Sequence, residues 1–218
     1  MSLVFPLAIS EFAGMFKVGD MDISLSESRE SAETTGGDLL FADNGPRLWR
    51  GYYVPSRIVH RDYHDLKGRI EALQIGNRAF LAYDHVTPGL KHDPDGEISA
   101  TLSAKLGQVE NDGQSLRIKG LPQGFKLAFG DRFSFTTQAG AIAYHRVISA
   151  GVEADATGST PLFTVSPHIL PGAAVNDPVV LFRPYFKARI VPQSVRPGKA
   201  KELRVEGMRF EFVQQVKP

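Results

Sequence analysis

The segment from Gly120 to Pro184 decides the fold class of this chain. Its characteristic runs are GLPQG at 120–124, GDRFSF at 130–135, YHRV at 144–147, ADATG at 154–158, LFTVSP at 162–167, PGA at 171–173 and VVLFRP at 179–184. Short apolar runs thus alternate with Gly, Pro, Asp and Asn at intervals of roughly ten residues, which is typical of short strands joined by tight turns. We therefore predict a compact antiparallel β module over this segment.

Two turn signals lie N-terminal to this module. The sequence DPDG at 93–96 is a strong turn and marks a candidate domain boundary. Beyond it, residues 102–118 alternate around ENDG at 110–113, and an Asp-Gly pair between alternating segments predicts a β-hairpin. A second β-rich region is therefore expected to begin after residue 96.

The rest of the chain predicts further strands and one short helix. The run PRLWRGYYVP at 46–55 is aromatic-rich and bracketed by prolines, which predicts a strand, and 79–83 predicts another. Apolar residues recur at intervals of three and four from Arg61 to Gln74, which predicts a helix with one apolar face. The residues of that face are Tyr63, Leu66, Ile70 and Leu73. The fold class is therefore predicted to be mainly β.

The two ends of the chain give weaker patterns. Residues 5–16 alternate loosely and predict an opening strand, whereas the small polar residues of 24–37 predict a loop. Residues 192–199 predict a basic loop, and 202–215 alternate as one last strand. A slip in that alternation at Gly207 predicts a β-bulge.

Composition excludes several classes of protein. The chain has no cysteine, so disulfides, thiolate catalysis and cysteine-ligated zinc are excluded. A net charge of +1 argues against a dedicated nucleic-acid binder. The first residues lack the features of a signal peptide and no apolar run approaches the ~20 residues of a membrane span. We expect cytoplasmic synthesis and no membrane partner.

Charge is distributed unevenly along the chain. Between Gly19 and Asp43 seven acidic residues accompany one basic residue, Arg29. Between Phe186 and Phe210 seven basic residues accompany two acidic ones. The acidic residues are Asp20, Asp22, Glu27, Glu30, Glu33, Asp38 and Asp43, and the basic residues are Lys187, Arg189, Arg196, Lys199, Lys201, Arg204 and Arg209. The two segments are either solvated faces of one domain or complementary surfaces of neighbouring copies in a ring.

No set of residues in the sequence predicts catalysis or a cofactor. His60 and His64 have the spacing of a zinc pair on a helix, but no third ligand follows. His145 and His168 lack a nucleophile elbow and an orienting partner, so a hydrolase is not favoured. The Gly-rich stretches lack the Lys-Ser/Thr of a phosphate-binding loop. We predict no catalytic residue, no cofactor and no metal.

The order of these motifs resembles a known family. The segments LWRG at 48–51, RIEAL at 69–73 and FLAYD at 80–84, followed by the turn at 93–96, are similar to the front part of distal tail proteins. These are baseplate components of long-tailed phages and of phage-derived gene transfer agents. The β module at 120–184 looks like the inserted region of the same proteins, so that the resemblance covers most of residues 46–190.

The resemblance implies an architecture and a function. A ring-forming domain, a β-sandwich or split barrel with one short helix, would comprise residues 1–96 and 186–218, and a small β-barrel-like domain would be inserted at 97–185. The protein would be a non-enzymatic subunit of a phage-type tail, joining the tail tube to the baseplate or hub as a homo-oligomeric, hexameric ring. The oligomer would form alone or with its tail partners.

Candidate interface residues follow from the charge pattern and the aromatic residues. They are Trp49, Tyr52, Arg189, Arg196, Lys199, Lys201 and Arg204. Trp49 and Tyr52 are either interface anchors or core, because a strand of a β-rich domain has at least one buried face. The alternative function is a two-domain binding module that recognises carbohydrate or peptide in a groove, with Trp49, Tyr52 and Tyr144 as its contact residues.

Overall fold

The computed structural model describes residues 3–27, 29–43, 45–76, 78–169 and 171–217. The chain is mainly β, with 40% of residues in strands and 9% in helices, and its sheets form a half-barrel and a nearly closed barrel. The predicted fold class is therefore confirmed.

The secondary-structure elements fall into three groups along the chain. The elements of the first part are a 3₁₀ turn at Ile9–Glu11, β1 (Val18–Leu25), β2 (Arg29–Glu33), β3 (Leu39–Asp43), β4 (Trp49–Pro55), β5 (Ile58–Val59), α1 (His60–Gln74) and β6 (Phe80–Tyr83). The next elements are β7 (Lys105–Val109), β8 (Ser115–Lys119), β9 (Lys126–Leu127), β10 (Arg132–Thr136), β11 (Ile142–Val147), β12 (Val152–Glu153), β13 (Phe163–Ser166) and β14 (Val179–Val180). The last are β15 (Tyr185–Ile190), β16 (Lys199–Lys201), β17 (Arg204–Glu206) and β18 (Phe210–Gln214).

The half-barrel is a five-stranded antiparallel sheet in the order β1-β4-β18-β15-β6. Its strands alternate, so that one face is buried and the other meets solvent. Aromatic residues dominate the buried face, namely Trp49, Tyr53, Phe80, Phe186, Phe210 and Phe212. Both ends of the chain thus contribute neighbouring strands to one sheet.

The helix α1 covers the buried face of this sheet. Leu66, Ile70 and Leu73 are at most 3% exposed, as expected for one apolar face of a helix. The helix begins at His60, one residue before the predicted start, and Asp62 lies in its first turn, where the helix dipole favours an acid. Of the helices in the described part of the chain, none combines the length and apolar character that crossing a membrane requires.

The nearly closed barrel is the six-stranded sheet β14-β10-β11-β13-β8-β7. The amide of Leu106 donates to Asp177 O at 3.0 Å and that of Val179 donates to Ala104 O at 2.9 Å, which brings the two outer strands together. The predicted hairpin is present as β7 and β8, and its turn is held by Asp112 Oδ1, which accepts the amides of Gln114 and Ser115 at 2.8 Å. The β module expected from the sequence is this barrel.

Three predictions of local structure are wrong. Residues 202–215 do not form one bulged strand. They divide at Gly207, which has a left-handed φ of +74°, into β17 and β18, which belong to different sheets. The predicted loop at 24–37 contains β2, which pairs with β3 as a two-stranded ribbon. The predicted opening strand is a 3₁₀ turn preceded by one bridge from Leu7 to Phe80.

Two hydrophobic cores accompany the two sheets. The first contains the half-barrel and helix, and the second contains the barrel. Two buried residues cross the predicted boundaries, since Leu90 packs in the second core and Tyr144 of the barrel packs in the first. The division into domains, 1–96 with 186–218 and 97–185, stays a prediction.

Candidate assembly interface

The outer face of the half-barrel is an uncovered charged surface. Its residues alternate with the buried aromatic residues and are Asp20 and Asp22 on β1, Arg50 and Tyr52 on β4, Glu211 on β18, and Lys187 and Arg189 on β15. Acidic residues lie on β1, the edge strand, and basic residues lie on β15, three strands away. The sheet therefore carries opposite charge toward its two sides.

The acidic and basic segments meet at one place on this face. The Tyr52 hydroxyl donates to the Asp20 carboxylate at 3.3 Å, and the Arg209 guanidinium lies over the Tyr52 ring at 4.0 Å. Desolvation and the neighbouring Asp20 carboxylate raise the pKa of the Tyr52 phenol. At this point the opposed segments meet within one chain, through an aromatic ring rather than an ion pair.

Two candidate interface arginines and a lysine make local contacts. Arg189 Nε donates to Gln215 Oε1 at 2.7 Å, and Lys187 Nζ donates to Lys217 O at 3.3 Å. Arg196 is exposed and pairs with Arg209 through the backbone, with amide-to-carbonyl distances of 2.7 and 3.1 Å. These contacts hold the basic side of the surface in place.

A small basic hairpin carries the other candidate interface residues. Strands β16 and β17 pair with each other and with β5, and Lys199, Lys201 and Arg204 are exposed on them. Leu203 at the tip is 80% exposed. Glu206 forms ion pairs with Lys201 at 3.4 Å and with Arg57 at 2.8 Å. We call residues 199–206 the basic hairpin.

The ribbon of β2 and β3 forms a second exposed hairpin of opposite charge. Residues 31–40 are all exposed except for the half-buried Thr34. Glu33 and Asp38 flank its turn, and Leu39 and Leu40 are 59% and 60% exposed. Exposed large apolar side chains that lie next to each other are typical of protein contacts. We call residues 29–43 the acidic hairpin.

Trp49 does not lie on the surface, which corrects its expected place at an interface. It is 1% exposed, and its indole N–H donates to Tyr144 O of the barrel at 2.8 Å. The rings of Trp49 and Tyr144 meet edge to face at 5.2 Å, and the Arg146 guanidinium lies 5.3 Å from the Trp49 ring centroid. Trp49 is therefore a contact between the half-barrel and the barrel.

Other polar groups join the two barrels around Trp49. Asp84 of the half-barrel pairs with Arg132 of the barrel, and both side chains are largely buried. The amide of Tyr185 donates to Ser134 Oγ at 3.2 Å. Desolvation and the neighbouring Arg132 lower the pKa of the Arg146 guanidinium. The junction is thus built from hydrogen bonds and charge as well as from apolar packing.

A groove of about 380 Å³ opens beside this junction. Arg47, Leu48 and Gln214 line it from the half-barrel, and Gln114, Ser166 and His168 line it from the barrel. Gln114 Nε2 donates to His168 Nε2 at 2.7 Å. We call this the junction groove; Trp49 and Tyr52 do not line it, although Tyr144 does.

The histidines do not assemble a reactive site. His145 is 1% exposed, stacks on Phe135 at 5.4 Å and donates from Nδ1 to Pro167 O at 3.0 Å. Burial lowers the pKa of His145 to about 4, which makes the ring neutral at pH 7. His60 Nε2 donates to Glu202 O at 2.9 Å. Within the described ranges no three metal-ligating side chains lie together.

Comparison with known proteins adds no family to this geometry. No protein-family model matches the sequence, and a search of curated proteins finds no match.

Proposed function

We propose that this chain is a structural subunit of a phage-type tail, a distal tail or baseplate component that connects the tail tube to the tail tip by ring assembly. The proposal rests on the resemblance of the motifs at 48–96 and 120–184 and on the exposed surfaces of the half-barrel. In this function the chain catalyses nothing; it presents surfaces that copies of itself and other tail proteins bind.

One observation carries the proposal: two separate hairpins of opposite charge each expose leucine. The acidic hairpin carries Glu33 and Asp38 beside Leu39 and Leu40, and the basic hairpin carries its cations beside Leu203. Unlike patches on one molecule make a head-to-tail contact, and such a contact closes into a ring when the rotation fits. Exposed leucines supply the apolar centre and the charges supply register and orientation.

Charge reversal tests this contact directly. One variant carries Glu33→Lys and Asp38→Lys, and the other carries Lys199→Glu and Arg204→Glu. In each variant the two hairpins bear like charge, so we expect a lower mass by light scattering than for the parent chain. In an equimolar mixture, residues 29–43 of the first variant, now positive, can meet residues 199–206 of the second variant, now negative. We expect the mixture to regain the parent's mass.

The control is Lys105→Glu, an exposed charge reversal on the barrel, which should leave the mass unchanged. The proposal fails if the parent is a monomer under all conditions. The proposed contact between the acidic and basic hairpins is refuted if both variants keep the parent's mass, or if the mixture does not regain that mass.

The alternative, a binding module for carbohydrate or peptide, keeps one supporting observation, the junction groove. Its aromatic contact residues are placed unfavourably, since Trp49 and Tyr144 are each 1% exposed and Tyr52 is covered by Arg209. A sugar would stack on an exposed ring face. A glycan screen with the parent chain separates the two functions, because the tail proposal expects no glycan binding.

A further inference from the structure

The junction groove is lined by one cation, Arg47, together with uncharged polar and apolar groups, and its described lining contains no acid. None of its described lining residues is an aspartate or glutamate, whereas the guanidinium-bearing Arg47 lines it. Arg47 Nε donates to Ser26 O at 3.3 Å, which holds the guanidinium at the groove and uses one of its five N–H donors. The groove therefore favours a negatively charged group.

One acid beside this groove is already engaged. Asp112 interacts with His168 from the hairpin turn, but its oxygens accept the amides of Gln114 and Ser115 and the Ser115 hydroxyl at 2.6 Å. These bonds lower the pKa of the Asp112 carboxyl and fix its orientation. The carboxylate thus positions the turn rather than occupying the groove.

Part of the remaining lining is aliphatic, beside the polar Gln114, Ser166 and Gln214. Leu48 and Val216 contribute from the half-barrel, and Ile148, Val165 and Pro167 contribute from the barrel. Ile148 is 39% exposed. The volume of about 380 Å³ is near the lower limit of small-ligand sites, which occupy ~300–1,000 Å³. An anion with a short aliphatic body fits this size and lining.

We propose that the junction groove binds a carboxylate at the end of a short aliphatic chain, with Arg47 as the main anion contact. Both walls would contact the ligand, so binding would also bridge the half-barrel and the barrel. Two sources have this chemistry, the C-terminal residues of a polypeptide and a small organic acid. The site does not depend on ring assembly, because all its lining residues belong to one chain.

Titration calorimetry and amide NMR shifts test this site with N-acetyl-Ala-Val-Leu as the free acid, its C-terminal amide, and 4-methylpentanoate. We expect the acid to bind and the amide to bind at least tenfold more weakly, as for the loss of a charge-assisted hydrogen bond. The variant Arg47→Ala should bind the peptide acid more weakly than the parent chain does, by a similar factor. Arg50→Ala, an exposed arginine outside the groove, should not change its affinity.

The two sources are distinguished by the size of the probe. A peptide acid that binds more tightly than 4-methylpentanoate indicates a polypeptide C-terminus, and equal affinities indicate a small organic acid. The inference is overturned if neither acid binds at millimolar concentration, if acid and amide bind equally, or if Arg47→Ala binds like the parent. None of these outcomes bears on the mass of the oligomer, so the proposed function is tested separately.

Discussion

Replacement of Trp49 by phenylalanine should destabilise the whole chain through the junction between its two barrels. The variant keeps an aromatic ring but loses the indole N–H that donates to Tyr144 O at 2.8 Å. A buried neutral hydrogen bond contributes about 1 kcal/mol, and the smaller ring leaves space in a site that is 1% exposed, which costs about 1–2 kcal/mol more. The expected loss in the free energy of unfolding is therefore about 2–3 kcal/mol.

Thermal unfolding followed by circular dichroism measures this loss. For a chain of this size each kcal/mol lowers the midpoint by about 2–4 °C, so Trp49→Phe should unfold about 4–12 °C below the parent. The matched control is Tyr52→Phe, which removes a hydroxyl from the exposed face of the same strand and should leave the midpoint unchanged. A midpoint for Trp49→Phe within about 1 °C of the parent would refute the assigned role of the indole.

Further predictions concern pH, packing and the acidic hairpin. The pKa of His145 is about 4 in the folded chain and 6.5 when unfolded, so below pH 6.5 the unfolded chain binds a proton that the folded chain does not. The free energy of unfolding should therefore decrease by about 3 kcal/mol as the pH falls from above 6.5 to 4. Denaturant titrations of His145→Gln should show a smaller decrease over the same pH range. Gly51→Ala would place a Cβ against Asp22 O and should lower the free energy of unfolding by about 2–3 kcal/mol. Gly68→Ala adds a methyl group in open space on the helix and should raise the free energy of unfolding by about 1 kcal/mol. Urea titration measures both, and equal midpoints for the two variants would contradict the packing around Gly51. Deletion of residues 30–42 should leave the unfolding midpoint unchanged and reduce the mass of the oligomer by light scattering; an unchanged mass would exclude the acidic hairpin from assembly.

Local signals predicted the elements that depend on neighbouring residues. The helix followed from its apolar spacing and the β7–β8 hairpin from its Asp-Gly turn, since both patterns act within a few positions. The segment at 46–55 contains the strand β4 (Trp49–Pro55), as its aromatic-rich composition predicted. The mainly β fold with a small barrel was therefore predictable from the sequence.

Other features depended on partners far along the chain. The alternation of 202–215 is continuous, yet β17 pairs with Ile58 and Val59, and the left-handed backbone at Gly207 redirects the chain. The burial of Trp49 could not be predicted because its partner Tyr144 lies 95 positions away. Residues 24–37 are mostly small and polar, so the pairing of β2 with β3 left no alternating apolar pattern there and the segment resembled a loop.

Ring assembly is tested most directly by the solution mass of the chain at two ionic strengths. Light scattering coupled to size exclusion would be recorded at about 0.05 M and about 1 M salt, where the Debye length falls to about 3 Å. We predict a discrete oligomer of several 23.9 kDa chains at low salt that dissociates in part at high salt, since charged hairpins orient the contact. A mass of 23.9 kDa at both salts would contradict ring assembly of the chain by itself.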